Sequence, residues 1–172
     1  MNNIYLVGFM GTGKTSVGYE LAKKIKQQFI DLDSLIELRE KKLIADIFAE
    51  KGEPYFRKVE KQALKEVAKE KGFVVATGGG IVINPENIKI MKETGMLICL
   101  SASPEVILKR VSGLDLRPLM NVKDPKKQIE LLLKLRAPYY ALAGKTIDTS
   151  KLSVGRVVQN IIKVISKRGS KR

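Results

Sequence analysis

Gly8-Phe9-Met10-Gly11-Thr12-Gly13-Lys14-Thr15 sets glycines, a lysine and a hydroxyl at the spacing G-x-x-x-x-G-K-[ST]. Those residue types in that order make a cradle for polyphosphate. Gly8, Gly11 and Gly13 let the backbone bend so that successive N–H groups turn toward phosphate oxygens, with a helix N-terminus behind them. Lys14 can reach the β- and γ-phosphates, and the Thr15 hydroxyl can ligate Mg²⁺. The implied ligand is a nucleoside triphosphate or something very close to one.

Further along, Asp31 and Asp33 stand one residue apart at the end of an extended run. If strand geometry continues they project to the same side. One could then hold Mg²⁺ through water and the other accept a substrate hydroxyl. The competing reading is a helix cap, with Asp33 or Ser34 opening a helix Leu35–Lys41. Arg57 is one turn from Glu60, which falls inside the apolar stripe Phe56, Ala63, Leu64 and Val67. Either this is a surface pair worth little, or Glu60 steadies a guanidinium that faces an anionic substrate group. Gly78-Gly79-Gly80 is costly in chain entropy. It makes sense where backbone N–H groups must come close to a ligand. Arg136 shares the inward face of a helix with Ile129, Leu132, Leu133 and Tyr140. A buried cation must be paired, and its partner is either a protein carboxylate or a ligand carboxylate. Arg117 lies within Ser112–Pro125, a stretch with no clear period. A mobile lid that brings Arg117 over the phosphates suits phosphoryl transfer.

The elements that must position these groups are legible in outline. Strand-like runs at Ile4–Gly8, Phe29–Asp31, Phe73–Thr77, Met96–Ser101 and Lys145–Asp148 alternate with helical patterns. The alternation predicts a three-layer α/β/α fold around a parallel sheet, with ligands at the carboxyl ends of the strands. Ile44–Lys71 reads as two helices hinged at Gly52-Glu53-Pro54, with proline placed for a helix start. Pro125–Leu142 and Ser153–Lys167 read as the last two helices, on either side of the fifth strand.

Composition narrows the function. At 172 residues the chain is expected to be one domain, 1–172. No apolar run reaches membrane-spanning length, and the first strand begins by residue 4, which predicts no signal peptide and a cytoplasmic protein. One cysteine, Cys99, and no histidine exclude an intrachain disulfide and histidine chemistry, so proton transfer falls to carboxylates. The formal charge of +14 raises the question of nucleic acid. The lysines are dispersed over helical faces (Lys23, Lys24, Lys26, Lys65, Lys69, Lys71) and aromatics are only 6%, which argues against an RNA-binding strip.

Six blocks occur in one order: the phosphate loop, Phe-Ile-Asp-Leu-Asp, Gly-Glu-Pro-Tyr-Phe-Arg-Lys-Val-Glu, Ala-Thr-Gly-Gly-Gly, Leu-Arg-Pro-Leu and Arg-Ala-Pro-Tyr-Tyr. In order and spacing the chain resembles the shikimate kinases, over roughly Ile4 to Ile162. The resemblance implies the P-loop NTPase fold of the nucleoside monophosphate kinase type, with a five-stranded parallel sheet of order 2-3-1-4-5. It implies transfer of the ATP γ-phosphate to the 3-hydroxyl of shikimate, with Mg²⁺, in a protein expected to work as a monomer. The resemblance places ATP on Gly11, Thr12, Gly13, Lys14, Thr15 and Ser16, with Arg110, Arg117 and Lys151 on the nucleotide side. Thr15 and, through water, Asp31 serve the metal; Asp33, Lys14 and Arg117 are the catalytic set. Shikimate falls to Asp33, Phe48, Phe56, Arg57, Gly78, Gly79, Gly80 and Arg136. Helices over about 33–61 would carry the acceptor and about 112–125 the lid. A gluconate or nucleoside monophosphate kinase would share the loop and lid but would not need both Asp33 and Gly78–Gly80.

Overall fold

A computed structural model describes residues 2–112 and 123–169. Five strands, β1 (Asn3–Val7), β2 (Gln28–Asp31), β3 (Phe73–Ala76), β4 (Gly95–Ser101) and β5 (Lys145–Asp148), form one parallel sheet in the order 2-3-1-4-5. The central strand β1 pairs with β3 through Ile4↔Val74 and with β4 through Ile4↔Met96. Parallel pairing requires crossovers, and helices supply them. They are α1 (Lys14–Ile25), α2 (Leu32–Glu40), α3 (Ile44–Lys69), α4 (Pro85–Thr94), α5 (Pro104–Val111), α6 (Pro125–Ala141) and α7 (Val154–Gly169).

Strand alternation divides the core in two. Ile4 and Leu6 of β1, Val74 of β3 and Ile98 and Leu100 of β4 pack with Val17 and Leu21 of α1 and Val157, Val158 and Ile161 of α7. Tyr5, Val7, Val75, Leu97 and Cys99 face the opposite way, toward Leu32, Ile36, Phe56, Leu64, Met91, Ile107 and Ile129. Both faces are covered, as an all-parallel sheet demands. At the end of the sheet away from the phosphate loop, buried Asn3 ties chain segments together. Its amide nitrogen donates to the Glu70 carbonyl at 2.9 Å, and its oxygen accepts from the Phe73 N–H at 3.0 Å. Tyr5 Oη and Thr94 Oγ1 share a 2.8 Å hydrogen bond in the same region.

The boundary after β2 departs from expectation. The helix after β2 starts at Leu32, and Asp31 is its cap: Asp31 Oδ1 accepts from the N–H groups of Asp33 and Ser34. Extended geometry therefore stops at Asp31, and Asp33 lies in the first helical turn. The expected hinge is present as one non-helical residue, Gly52 (φ 77°, ψ 171°), inside α3. That left-handed conformation suits glycine, and Pro54 follows where the second segment starts. Arg117 and most of the segment 112–125 lie outside the described residues.

Candidate active site

The carboxyl ends of the strands converge on two adjoining cavities. The larger, of about 520 Å³, is lined by Gly11–Val17 together with Asp31, Asp33, Thr77, Gly79, Arg110 and Thr149. In the phosphate loop Gly11 (φ 72°) and Gly13 (φ 93°) take left-handed conformations that an L side chain would strain. Gly13 caps α1 without a side chain, and the first turn of α1 carries no acidic residue. The N-terminus of a helix with that make-up presents N–H groups and a positive dipole end to an anion. Lys14 is buried, its Nζ donating to the carbonyls of Gly8 (2.9 Å) and Phe9 (2.8 Å).

Asp31 joins β2 to this loop. Its Oδ2 accepts a 2.7 Å hydrogen bond from Thr15 Oγ1, while Oδ1 caps α2. The cap is therefore Asp31 and not the expected Asp33 or Ser34, and Asp31 is also the residue that the resemblance assigns to the metal. Among the described residues no three carboxylate, cysteine or histidine groups cluster to hold a metal. A Mg²⁺ at Thr15 and Asp31 would therefore complete its shell with water and phosphate oxygens, as Mg²⁺ in phosphoryl-transfer sites does. The donor set fits that ion.

The far wall of the same cavity is locked by a residue that sequence reading passed over. Thr149 Oγ1 lies 3.1 Å from the Thr12 carbonyl and 3.0 Å from that of Ser101. Arg110 donates to Thr149 Oγ1 (3.0 Å), to the Thr149 carbonyl (2.9 Å) and to the Gly11 carbonyl (3.1 Å). Arg110 therefore ties α5, the phosphate loop and the β5 exit together at the cavity rim. The strand-end rule points to the exit of β5 but does not distinguish Thr149 from its neighbours Asp148 and Ser150. Lys151, expected on the nucleotide side, is exposed and does not line the cavity; Leu152 and Val154 do. The loop after Thr149 packs Leu152 against the core and leaves Lys151 in solvent.

The smaller cavity, of about 130 Å³, is lined by Met10, Ile44, Phe48, Glu53, Phe56, Arg57, Glu60, Gly78–Gly80 and Arg136. The rings of Phe48 and Phe56 stand 4.8 Å apart and form its apolar wall. Arg57 is held from two sides. Nη1 donates to Glu60 Oε2 at 2.8 Å, and Nε and Nη2 donate to Glu53 Oε1 at 3.1 and 2.9 Å. Glu60 is almost fully enclosed, at 1% side-chain exposure, whereas Glu53 is at 58%. Burial alone would lower the Arg57 pKa, but the Glu60 and Glu53 carboxylates outweigh it and raise the pKa above its ordinary value. Arg57 is a fixed positive charge.

The glycine triplet has a steric reason that its sequence did not disclose. A methyl group at Gly78 would lie 2.6 Å from Glu60 Oε1 and 2.9 Å from Asp33 Oδ1, and one at Gly80 would lie 2.8 Å from Arg57 Cζ. None of the three has a positive φ. Gly78 and Gly80 are bare because charged side chains of α2 and α3 pass directly against them, whereas Gly79 faces the phosphate-loop backbone and Arg136 of α6 at ordinary contact distance. Asp33 lines the larger cavity, while Gly78, against which its carboxylate packs, lines the smaller. Asp33 therefore stands at the border between the two. Met10 and Gly79 also line both. Met10, Ile44 and Glu53 carry no site signal in the sequence: the phosphate-loop motif is silent on its x positions, and the periodicity of α3 marks only its core face.

Arg136 is buried on α6, with its guanidinium 5.6 Å from the centre of the Phe9 ring. Among the described residues no carboxylate lies within 4 Å of it. Tyr140, one turn later, donates a 2.6 Å hydrogen bond to the Gly79 carbonyl. Burial is the main cause of its pKa being pushed up to about 12, so the phenol stays protonated and remains a donor.

A phosphate loop at a helix N-terminus, with an arginine-rich, aromatic-walled cavity beside it, defines a P-loop kinase of small molecules. Comparison with known proteins carries this to the family. A shikimate kinase family model matches residues 10–166. Shikimate kinase from Caldanaerobacter subterraneus subsp. tengcongensis is 46% identical over 97% of this chain and 98% of its own. That of Thermoanaerobacter pseudethanolicus is 45% identical over 95% of each. The structure of shikimate kinase from Acinetobacter baumannii in complex with shikimate superposes with a TM-score of 0.93 at 37% identity, covering 98% of this chain and 94% of that one. The chain belongs to the shikimate kinase family.

Proposed function

We propose that this protein transfers the γ-phosphoryl group of ATP to the 3-hydroxyl of shikimate. The observation that carries the reading is the pair of guanidinium groups, Arg57 and Arg136, at a small cavity walled by Phe48 and Phe56 and adjoining the phosphate loop through Met10 and Gly79. Cationic groups facing an apolar wall suit a small ring bearing a carboxylate. Its position next to the phosphate loop suits a reaction whose demand is alignment and charge neutralisation.

In this mechanism the glycine-rich loop and Lys14 hold the triphosphate. Thr15 and Asp31 would hold Mg²⁺, which when bound would supply neutralisation of charge on the phosphate oxygens. Arg57, steadied by Glu60 and Glu53, and Arg136 orient the acceptor by its carboxylate, with the Gly79–Gly80 backbone beside them. Asp33 binds the acceptor hydroxyls and takes the proton of the attacking one as its oxygen bonds to phosphorus and ADP leaves. Arg117, proposed on the resemblance alone, meets the transferred group from the segment 112–125. Arg110 acts at the nucleotide end by fixing the loop. Every residue assigned comes from one chain, and the protein is read as a cytoplasmic monomer of one domain.

A coupled ADP-release assay with shikimate, gluconate, CMP and AMP as acceptors tests the reading. Turnover dependent on shikimate alone is expected; its absence, or a preference for another acceptor, overturns it.

A further inference from the structure

We propose that Tyr140 is a positioning residue for the acceptor, aiming the Gly80 N–H by holding the Gly79 carbonyl. This rests on the reading of the smaller cavity as the acceptor site. Each carbonyl of the glycine triplet is taken by a donor from the protein itself. The Gly78 carbonyl accepts from the Ile81 N–H at 3.3 Å, that of Gly80 from the Ile83 N–H at 3.1 Å, and that of Gly79 from the Tyr140 hydroxyl at 2.6 Å. The first two are bonds within the local turn. The third spans 61 residues and is made by a different element, α6.

The Gly79 carbonyl and the Gly80 N–H belong to one planar trans peptide and point in opposite directions. Fixing the first therefore aims the second. Tyr140 lies on the far side of the loop, in an apolar groove with Phe9, Cys99, Leu133 and Thr146, whereas Gly80 lines the acceptor cavity with Arg57 and Arg136. A glycine pair has no side chain to hold its peptide plane and is the most freely rotating backbone there is. The buried phenol supplies that hold. Because Tyr140 is one helical turn after Arg136, α6 delivers both the guanidinium and the tether. It sets their spacing as a unit, with Arg136 Nη1 3.8 Å from the point where a Gly79 Cβ would be.

Tyr140→Phe removes the donor and keeps the ring. The KM for shikimate is expected to rise roughly tenfold, as for loss of one buried hydrogen bond, with the KM for ATP within about twofold of wild type. An unchanged shikimate KM, or equal rises in both KM values, would overturn the role, since a merely structural contact has no reason to separate the two substrates. A second measurement needs no variant. In the wild-type protein the Gly80 amide resonance should move on titration with shikimate and saturate with its binding; a Gly80 amide indifferent to saturating shikimate would also overturn the proposal. Wild-type turnover separates the two levels of inference. No shikimate-dependent turnover removes the acceptor reading itself, while a competent wild type with an unaffected Tyr140→Phe enzyme removes only the tether.

Discussion

Asp31 and Asp33 differ in their surroundings although they are two positions apart and of one type. The Asp31 carboxylate is shared between the α2 cap and the Thr15 hydroxyl, so its orientation is set by both. Asp33, in the first turn of α2, packs its carboxylate against Gly78 at the boundary of the two cavities. Asp33→Asn is nearly isosteric and should leave the melting temperature close to wild type while kcat falls by roughly 10²-fold or more. A near-normal kcat would reduce Asp33 to orienting the hydroxyl. Arg136 is the buried cation with no carboxylate within reach among the described residues. Arg136→Ala should raise the shikimate KM by roughly 10²-fold, the scale of losing one partner of a desolvated charge pair, and leave the ATP KM near its wild-type value. Parallel steady-state titrations of the two substrates check this, and equal damage to both would count against the assignment.

At the scale of elements, the site depends on how closely neighbouring segments approach. The loop after β3 admits Asp33, Arg57 and Glu60 because Gly78 and Gly80 carry no side chains. Gly78→Ala would press a methyl group onto Glu60 and Asp33. It should lower kcat/KM for shikimate by roughly tenfold or more, since small displacements of aligned groups are costly, with circular dichroism unchanged. A similar constraint governs α1, which sets the phosphate loop against the sheet. A methyl group at Gly18 would lie 2.6 Å from the Phe29 ring and 3.3 Å from Leu6. Alanine should favour a helix by ~1 kcal/mol, yet overpacking costs about 1–3 kcal/mol. Gly18→Ala is therefore expected to lower stability by about 1 kcal/mol in urea denaturation; a stabilised variant would show that the helix can shift on the sheet without cost.

For the molecule as a whole, the parallel sheet gathers residues 8–15, 31–33, 78–80, 101 and 149 at one end, although they span most of the chain. No helix among the described residues is long and apolar enough to cross a membrane. Cys99 reports on the integrity of this assembly. It lies in the centre of β4, 2% exposed, and burial is the chief cause of its raised pKa. Reaction with a thiol reagent at pH 8 should wait on opening of the sheet, be complete for one thiol per chain in strong denaturant, and slow further with Mg²⁺ and ATP as binding stabilises the folded state. Fast reaction of the native protein would place the thiol at the surface.

Much of this was legible before any fold was known. The phosphate loop carries its own geometry, because glycine spacing and a following helix dictate where N–H groups and Lys14 can go. The strand–helix alternation implied a parallel sheet, and the apolar stripe around Glu60 implied the Arg57 pair, since i,i+3 neighbours meet on any helix. What only the tertiary structure decided are contacts between segments distant in the chain. Thr149 against Thr12, Tyr140 against Gly79, and the crowding of Gly78 by Asp33 and Glu60 have no local signature. Each arises because separate strands end side by side, so that groups up to 137 residues apart come within a hydrogen bond of each other. A hydroxyl or a missing side chain looks the same in sequence wherever it points; the packing of the elements determines what it touches.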